Sequence, residues 1–149
     1  MKQIEAEVTG EVHAPAETVY AILADYREHH PRILPAAYFT SLTVEEGGIG
    51  AGTIFRAEMN VFGNKSTLRM RVDTPEPGRV LTESTLDGAL VTTFTVTPGE
   101  DARRCSVTIA TTQQAPGGFS GWLQGLTLPW IMRRIYREEL AQLDRYAQT

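Results

Sequence analysis

A single cysteine, Cys105, occurs among the 149 residues. That excludes an internal disulfide and any multi-cysteine zinc site, and it fits a reducing compartment. Basic charge is also scarce. Fourteen Lys and Arg against 18 Asp and Glu leave a formal charge of -4, which argues against a nucleic-acid partner, since such proteins normally present a basic face. Long apolar runs are missing: nothing approaches the roughly 20 residues needed to cross a bilayer. The longest stretch, Trp122 to Met132, runs into Arg133-Arg134. Met1 to Glu5 carries charge where a signal peptide needs its apolar segment. The expectation is a cytoplasmic protein without stable membrane insertion, monomeric or homodimeric.

Catalytic signatures are equally sparse. His29 and His30 are adjacent, so on a helix they diverge by about 100° and chelate one metal poorly. No His-Glu-x-x-His pattern occurs. Gly118-Phe119-Ser120-Gly121 lacks the second glycine of a nucleophile elbow. Gly48-Ile49-Gly50-Ala51 precedes a strand, not the helix that a dinucleotide site requires. Neither a metal nor a cofactor is expected.

What is present is an ordinary apolar content of 42%, enough for one core in a single domain spanning 1–149. Ile4, Ala6, Val8, Gly10 and Val12 alternate with Glu5, Glu7, Thr9 and Glu11, the period of a half-buried strand. Pro15 sits at a first helical position, with Glu17 in the first turn. A second short helix starts at Asp25, with Glu28 as reciprocal cap, and is interrupted by Pro31. From about Tyr38 to Thr112, strands alternate with turn chemistry: Gly47-Gly48-Ile49-Gly50, Gly63-Asn64, Pro75-Glu76-Pro77-Gly78, Asp87-Gly88 and Pro98-Gly99. The result is an α+β chain with about seven strands, mainly an antiparallel meander.

One long helix follows, from about Gly118 to Tyr146, reaching roughly 40 Å at 1.5 Å per residue. Phe119, Trp122, Leu123, Leu126 and Trp130 form one stripe; Met132, Tyr136, Leu140, Leu143 and Ala147 form another. The second is rotated by roughly a quarter turn from the first. Pro129 between them predicts a kink. The helix must bury its apolar side on the concave face of the sheet. A cavity is expected at the aromatic half, with the Met132–Ala147 half clamped to the sheet.

This order, together with Val12-His13-Ala14-Pro15-Ala16-Glu17-Thr18-Val19 and Gly50-Ala51-Gly52-Thr53, resembles the START-like, helix-grip superfamily, which includes the Bet v 1-like proteins and the polyketide cyclase/dehydrase and lipid-transport group. The resemblance implies an internal pocket for a lipophilic ligand such as a lipid, polyketide or quinone. Fold alone does not choose among carriers, cyclases and other members.

The pocket candidates are Tyr26, Tyr38, Phe55, Met59, Met70, Phe94, Phe119, Trp122, Leu126 and Trp130. Each singly is ordinary core; together they suit an apolar ligand site with hydroxyls at its rim. Glu83 is the one weak catalytic candidate. In Val80 to Leu86 the two strand phases are almost equally polar. If Leu81, Glu83 and Thr85 face inward, a carboxyl with raised pKa enters the pocket; the cost of an isolated buried carboxylate favours the solvated phase instead. Cys105 shares the phase of Val107 and Ile109 and reads as an inert core thiol. Arg56, Glu58, Arg69 and Arg71 read as charge pairs on the outer face. Binding or transport of a lipophilic molecule needs no catalytic constellation and is favoured. The alternatives are a cyclase or dehydratase using Glu83 or a tyrosine, and an interaction module exposing Leu128-Pro129-Trp130.

Overall fold

The computed structural model describes the backbone of residues 3–115 and 118–149, and the side chains of 3–115 and 127–149. The elements run β1 (Gln3–Val12), α1 (Ala16–Ala24), α2 (His30–Ile33), β2 (Phe39–Glu46), β3 (Ile54–Val61), β4 (Asn64–Glu76), β5 (Val80–Thr85), β6 (Leu90–Pro98), β7 (Cys105–Gln114) and α3 (Gly118–Ala147). All seven strands form one antiparallel sheet in the order β1-β7-β6-β5-β4-β3-β2. Strands β2 to β7 are a meander, as the tight turn signals require, and β1 returns to pair with β7. The sheet is curved, and register shifts in β2 and between Asp73 and Glu76 add local bend.

Three local expectations shift. The β3–β4 hairpin turns on Phe62-Gly63, not Gly63-Asn64, because Val61 pairs with Asn64. Both turn residues have positive φ, 52° and 87°, the primed geometry that matches strand twist. Pro31 does not interrupt α2 but stands in its first turn, where its missing N–H costs nothing. The helix also starts later than Asp25, at His30; Asp25 Oδ1 instead accepts from the Arg27 and Glu28 amides, both at 3.0 Å, in the turn before it. Pro15 is the N-cap of α1, in extended conformation.

Helix α3 remains helical through Pro129. It packs along β1 and against α1 and α2, and its Leu140 and Leu143 join Val12, Leu23, Ile33 and Val107 in the core. His13, at the end of β1, ties down the far end of α3, its amide donating to Asp144 Oδ1 at 2.8 Å. Cys105 is buried with Val107 and Ile109, and burial pushes its thiol up to about 11. Arg56 faces Arg69 across β3 and β4, so the outer charges do not pair directly across those strands. Glu45 on β2 joins them, 2.6 Å from Arg69 Nε and 4.0 Å from Arg56.

Candidate functional site

Between the concave face and α3 lies a cavity of about 420 Å³. Phe55, Met70 and Phe94 form much of its sheet wall, and Ile131, Met132 and Ile135 much of its helix wall. At the β3–β4 hairpin the lining residues Phe62, Asn64 and Ser66 are exposed. His30, Glu83, Thr92 and Glu139 also line the cavity and are buried.

Two of these groups, His30 and Glu83, are held by the turn between α1 and α2. The β2–β3 loop grips that turn through its backbone: Tyr26 N–H donates to Gly48 O at 2.8 Å, and Gly50 N–H to Ala24 O at 2.9 Å. The Arg27 side chain lies over Gly48 and donates to Gly47 O. A Cβ at Gly48 would sit 2.2 Å from Arg27 Nε, on a backbone with φ +143°; only glycine fits. Thr53 Oγ1 accepts from Gly48 N–H. The Gly-x-Gly-Thr segment is thus a structural clamp that aims Tyr26 and His30 at β5.

The Tyr26 ring stacks between His30, at 4.3 Å, and Phe55, at 4.8 Å. Its hydroxyl donates to Glu83 Oε2 at 2.5 Å, and His30 Nε2 lies 3.6 Å from the same oxygen. His30 Nδ1 is 2.7 Å from Leu23 O, so it carries the proton and leaves Nε2 as an acceptor toward Glu83. Burial holds His30 down at about 4, hence neutral. Burial raises Glu83 to about 7, partly opposed by the Tyr26 hydrogen bond. Its carboxyl changes charge near neutrality.

Strand pairing sets Val72, Glu83, Thr92 and Thr111 side by side across β4 to β7. Thr92 and Thr111 share a 2.8 Å hydrogen bond, and Thr111 also bonds the Tyr136 hydroxyl from α3. Burial pushes Tyr136 up to about 12. One turn further along α3, Glu139 is 3% exposed, and its Oε2 has no hydrogen-bond partner among the described residues. Burial, then the charge of Glu83, raises its pKa well above the ordinary value.

The solvated reading of Glu83 is therefore corrected. Leu81 and Glu83 face inward together, because the carboxyl has Tyr26 as donor and escapes much of the desolvation cost by holding a proton. Of the predicted pocket residues, Phe55, Met59, Met70 and Phe94 line the cavity. Tyr26 stands behind the lining, braced against Glu83. Tyr38 is buried outside it, accepting from Arg134 Nε at 3.1 Å. Trp130 is not a pocket residue: it is 54% exposed, with the Arg134 guanidinium over its ring. At about 100° per residue it falls roughly 140–180° from Leu128, Met132, Ile135 and Glu139, on the opposite face. The expected division of α3 shifts, since Met132, Ile135 and Tyr136 of its second half line the cavity while Leu140 and Leu143 pack in the core. The side chains of Phe119, Trp122 and Leu126 lie outside the described residues.

His30, Thr92, Thr111, Tyr136 and Glu139 are additions to the predicted site. The signal for Glu139 was its place on the Met132–Tyr136–Leu140 stripe, where a solvated glutamate does not belong. Among the described residues, no helix is long and apolar enough to cross a membrane.

A curved antiparallel sheet closed by a long C-terminal helix over a largely apolar cavity is the architecture of START-like proteins. The chain belongs to the polyketide cyclase/dehydrase and lipid transport family, whose model matches residues 3–148. It is similar to the KanY protein, known from a solution NMR structure, with 28% identity over all of both chains and a TM-score of 0.85. The ZhuI aromatase/cyclase from Streptomyces sp. R1128 shares its fold at 21% identity, covering 99% of this chain and 94% of that one, with a TM-score of 0.79. A START superfamily protein from Mycobacterium smegmatis does so at 15% identity, covering 97% of each, with a TM-score of 0.75. No curated protein matches the chain.

Proposed function

We propose that the protein binds a lipophilic small molecule in this cavity, with the polar end of the ligand at Glu83 and Glu139. The observation that carries this reading is a hydrocarbon-walled space of about 420 Å³ with two buried carboxyls in its wall, the combination of apolar surface and few placed polar groups typical of ligand sites. Family membership supports lipids and polyketides as the ligand class. Native mass spectrometry of protein purified from its source tests it. A stoichiometric lipophile is expected, and it should be lost when Ala57, a small cavity-lining residue, is replaced by Phe. Protein that carries no lipophile and takes up no apolar fluorescent dye would refute the reading.

A second reading, a cyclase- or dehydratase-type enzyme, is favoured by Glu83, which changes protonation near pH 7 beside the Tyr26 hydroxyl. A group titrating there can both donate and accept a proton. Glu83→Gln separates the two readings: a loss of turnover far exceeding any loss of ligand affinity identifies an enzyme, whereas no turnover in the wild type leaves a carrier.

A further inference from the structure

The cavity wall carries two carboxyls, Glu83 and Glu139, and no Lys or Arg among the described residues. Among the described residues, no cation lines the cavity to offset the charge of either carboxyl once it is ionised. His30 is neutral, with Nδ1 committed to the Leu23 carbonyl. The Tyr26 hydroxyl already serves Glu83, and the Tyr136 hydroxyl is engaged by Thr111. Arg134, on the same helix, turns outward to Tyr38 and Trp130. Among the described residues, Glu139 Oε2 is left buried without a partner, a state that native proteins rarely leave uncompensated.

A lipid hydroxyl could donate to one of these oxygens but would bring no charge. A primary alkylammonium supplies three N–H donors, a secondary one two, and each brings one positive charge; charge-assisted bonds to carboxylates are about twice as strong as neutral ones. It matches both deficits at once, and the apolar walls would take its hydrocarbon part.

We propose that the ligand's polar end is a cation, a protonated primary or secondary amine on an apolar body, seated between the carboxyls of Glu83 and Glu139. This rests on the binding reading above. The amine arrives charged, so its binding favours ionised carboxyls. At pH 7 the pair gives up roughly one proton per ligand bound. A neutral ligand leaves the pair's protons in place.

The test compares 4-phenylbutylamine, 4-phenylbutanol and 4-phenylbutyrate, which share one apolar body, by calorimetry at pH 7 in phosphate and in Tris. The amine should bind at least about tenfold tighter than the alcohol, the carboxylate most weakly, and the difference in heat between buffers should report release of about one proton. In Glu139→Gln, checked for a native circular dichroism spectrum, amine and alcohol should converge. Proton release is read on the wild type and needs no variant. Equal affinity for amine and alcohol, or amine binding without proton release, would overturn the cation while leaving lipophile binding intact. Failure of all three to bind also overturns it, and if an apolar fluorescent dye fails as well, the binding reading falls with it.

Discussion

The hydroxyl of Tyr26 donates a 2.5 Å hydrogen bond to Oε2 of Glu83, joining the turn between α1 and α2 to the middle of the sheet. Without that donor the carboxyl would lose its one hydrogen-bond donor among the described residues, with the neutral His30 beside it. Tyr26→Phe should therefore lower stability by about 1–3 kcal/mol, the cost of stranding a buried polar group. The Tyr26 bond also holds down the pKa of Glu83, so the variant should move the titration of Glu83 upward from about 7. Urea unfolding reads the first effect and carboxyl-carbon NMR the second. An unchanged or lower midpoint would show that the bond does not act on the carboxyl.

Stability should fall as pH rises through neutrality. Glu83 keeps its proton to about pH 7 in the folded chain, against an ordinary value of 4.5, so between those values the native state binds more protons and loses stability as pH increases. Glu139 is shifted in the same direction. His30 acts oppositely: its pKa drops from 6.5 to about 4 on folding, so it costs stability as pH falls through that window. Above its ordinary value of 6.5, His30 is neutral in both states and the carboxyls act alone. Scanning calorimetry from about pH 6.5 to 8.5 should show a declining Tm in the wild type and a flatter profile in Glu139→Gln. A Tm that rises over that range in the wild type contradicts the assignment.

The contact of β1 with α3 depends on Gly10. A Cβ there would lie 3.2 Å from Leu140 Cδ1, a side-chain end that can give way for alanine. Gly10→Val adds methyls that Leu140 cannot avoid and should cost about 1–3 kcal/mol by overpacking. In a Leu140→Ala background much of that penalty should vanish, so a double-mutant cycle by urea unfolding should show strong coupling. Additive effects would mean that the helix is seated elsewhere.

Faces of α3 can be told apart by substitution. Trp130→Ala removes an exposed ring and should leave stability within about 0.5 kcal/mol and the uptake of an apolar dye unchanged. Met132→Asn, on the cavity wall, should abolish uptake. Dye fluorescence titrations decide between them, and loss of uptake on removing Trp130 would reverse the orientation of the helix.

Much of this was readable from periodicity. Strict alternation in β1 and β7, glycine- and proline-bearing turns, and the Met132 to Leu143 stripe each have one physical solution, and together they place the helix over the sheet. The heart of the site was harder. Val80 to Leu86 is polar in both phases, so alternation could not orient Glu83. Its inward phase follows from pairing with Val72 and Thr92, a long-range relation that no local window contains. Trp130 was misplaced because the Phe119–Trp130 stripe was taken as the pocket face, whereas the cavity takes the face of Leu128, Met132, Ile135 and Glu139. His30 was weighed beside His29 as a metal ligand, whereas the structure separates them: His30 is buried at the cavity, and His29 meets the Tyr146 hydroxyl at 2.6 Å.

The most direct test of the account is methionine-methyl NMR during titration with a lipophilic ligand. Met59 and Met70 lie on the sheet wall of the cavity and Met132 on its helix wall. Ligand between sheet and helix should shift all three methyl signals together, saturating at one equivalent. If the ligand binds and the three signals stay in place, it sits outside the cavity and the central claim is wrong.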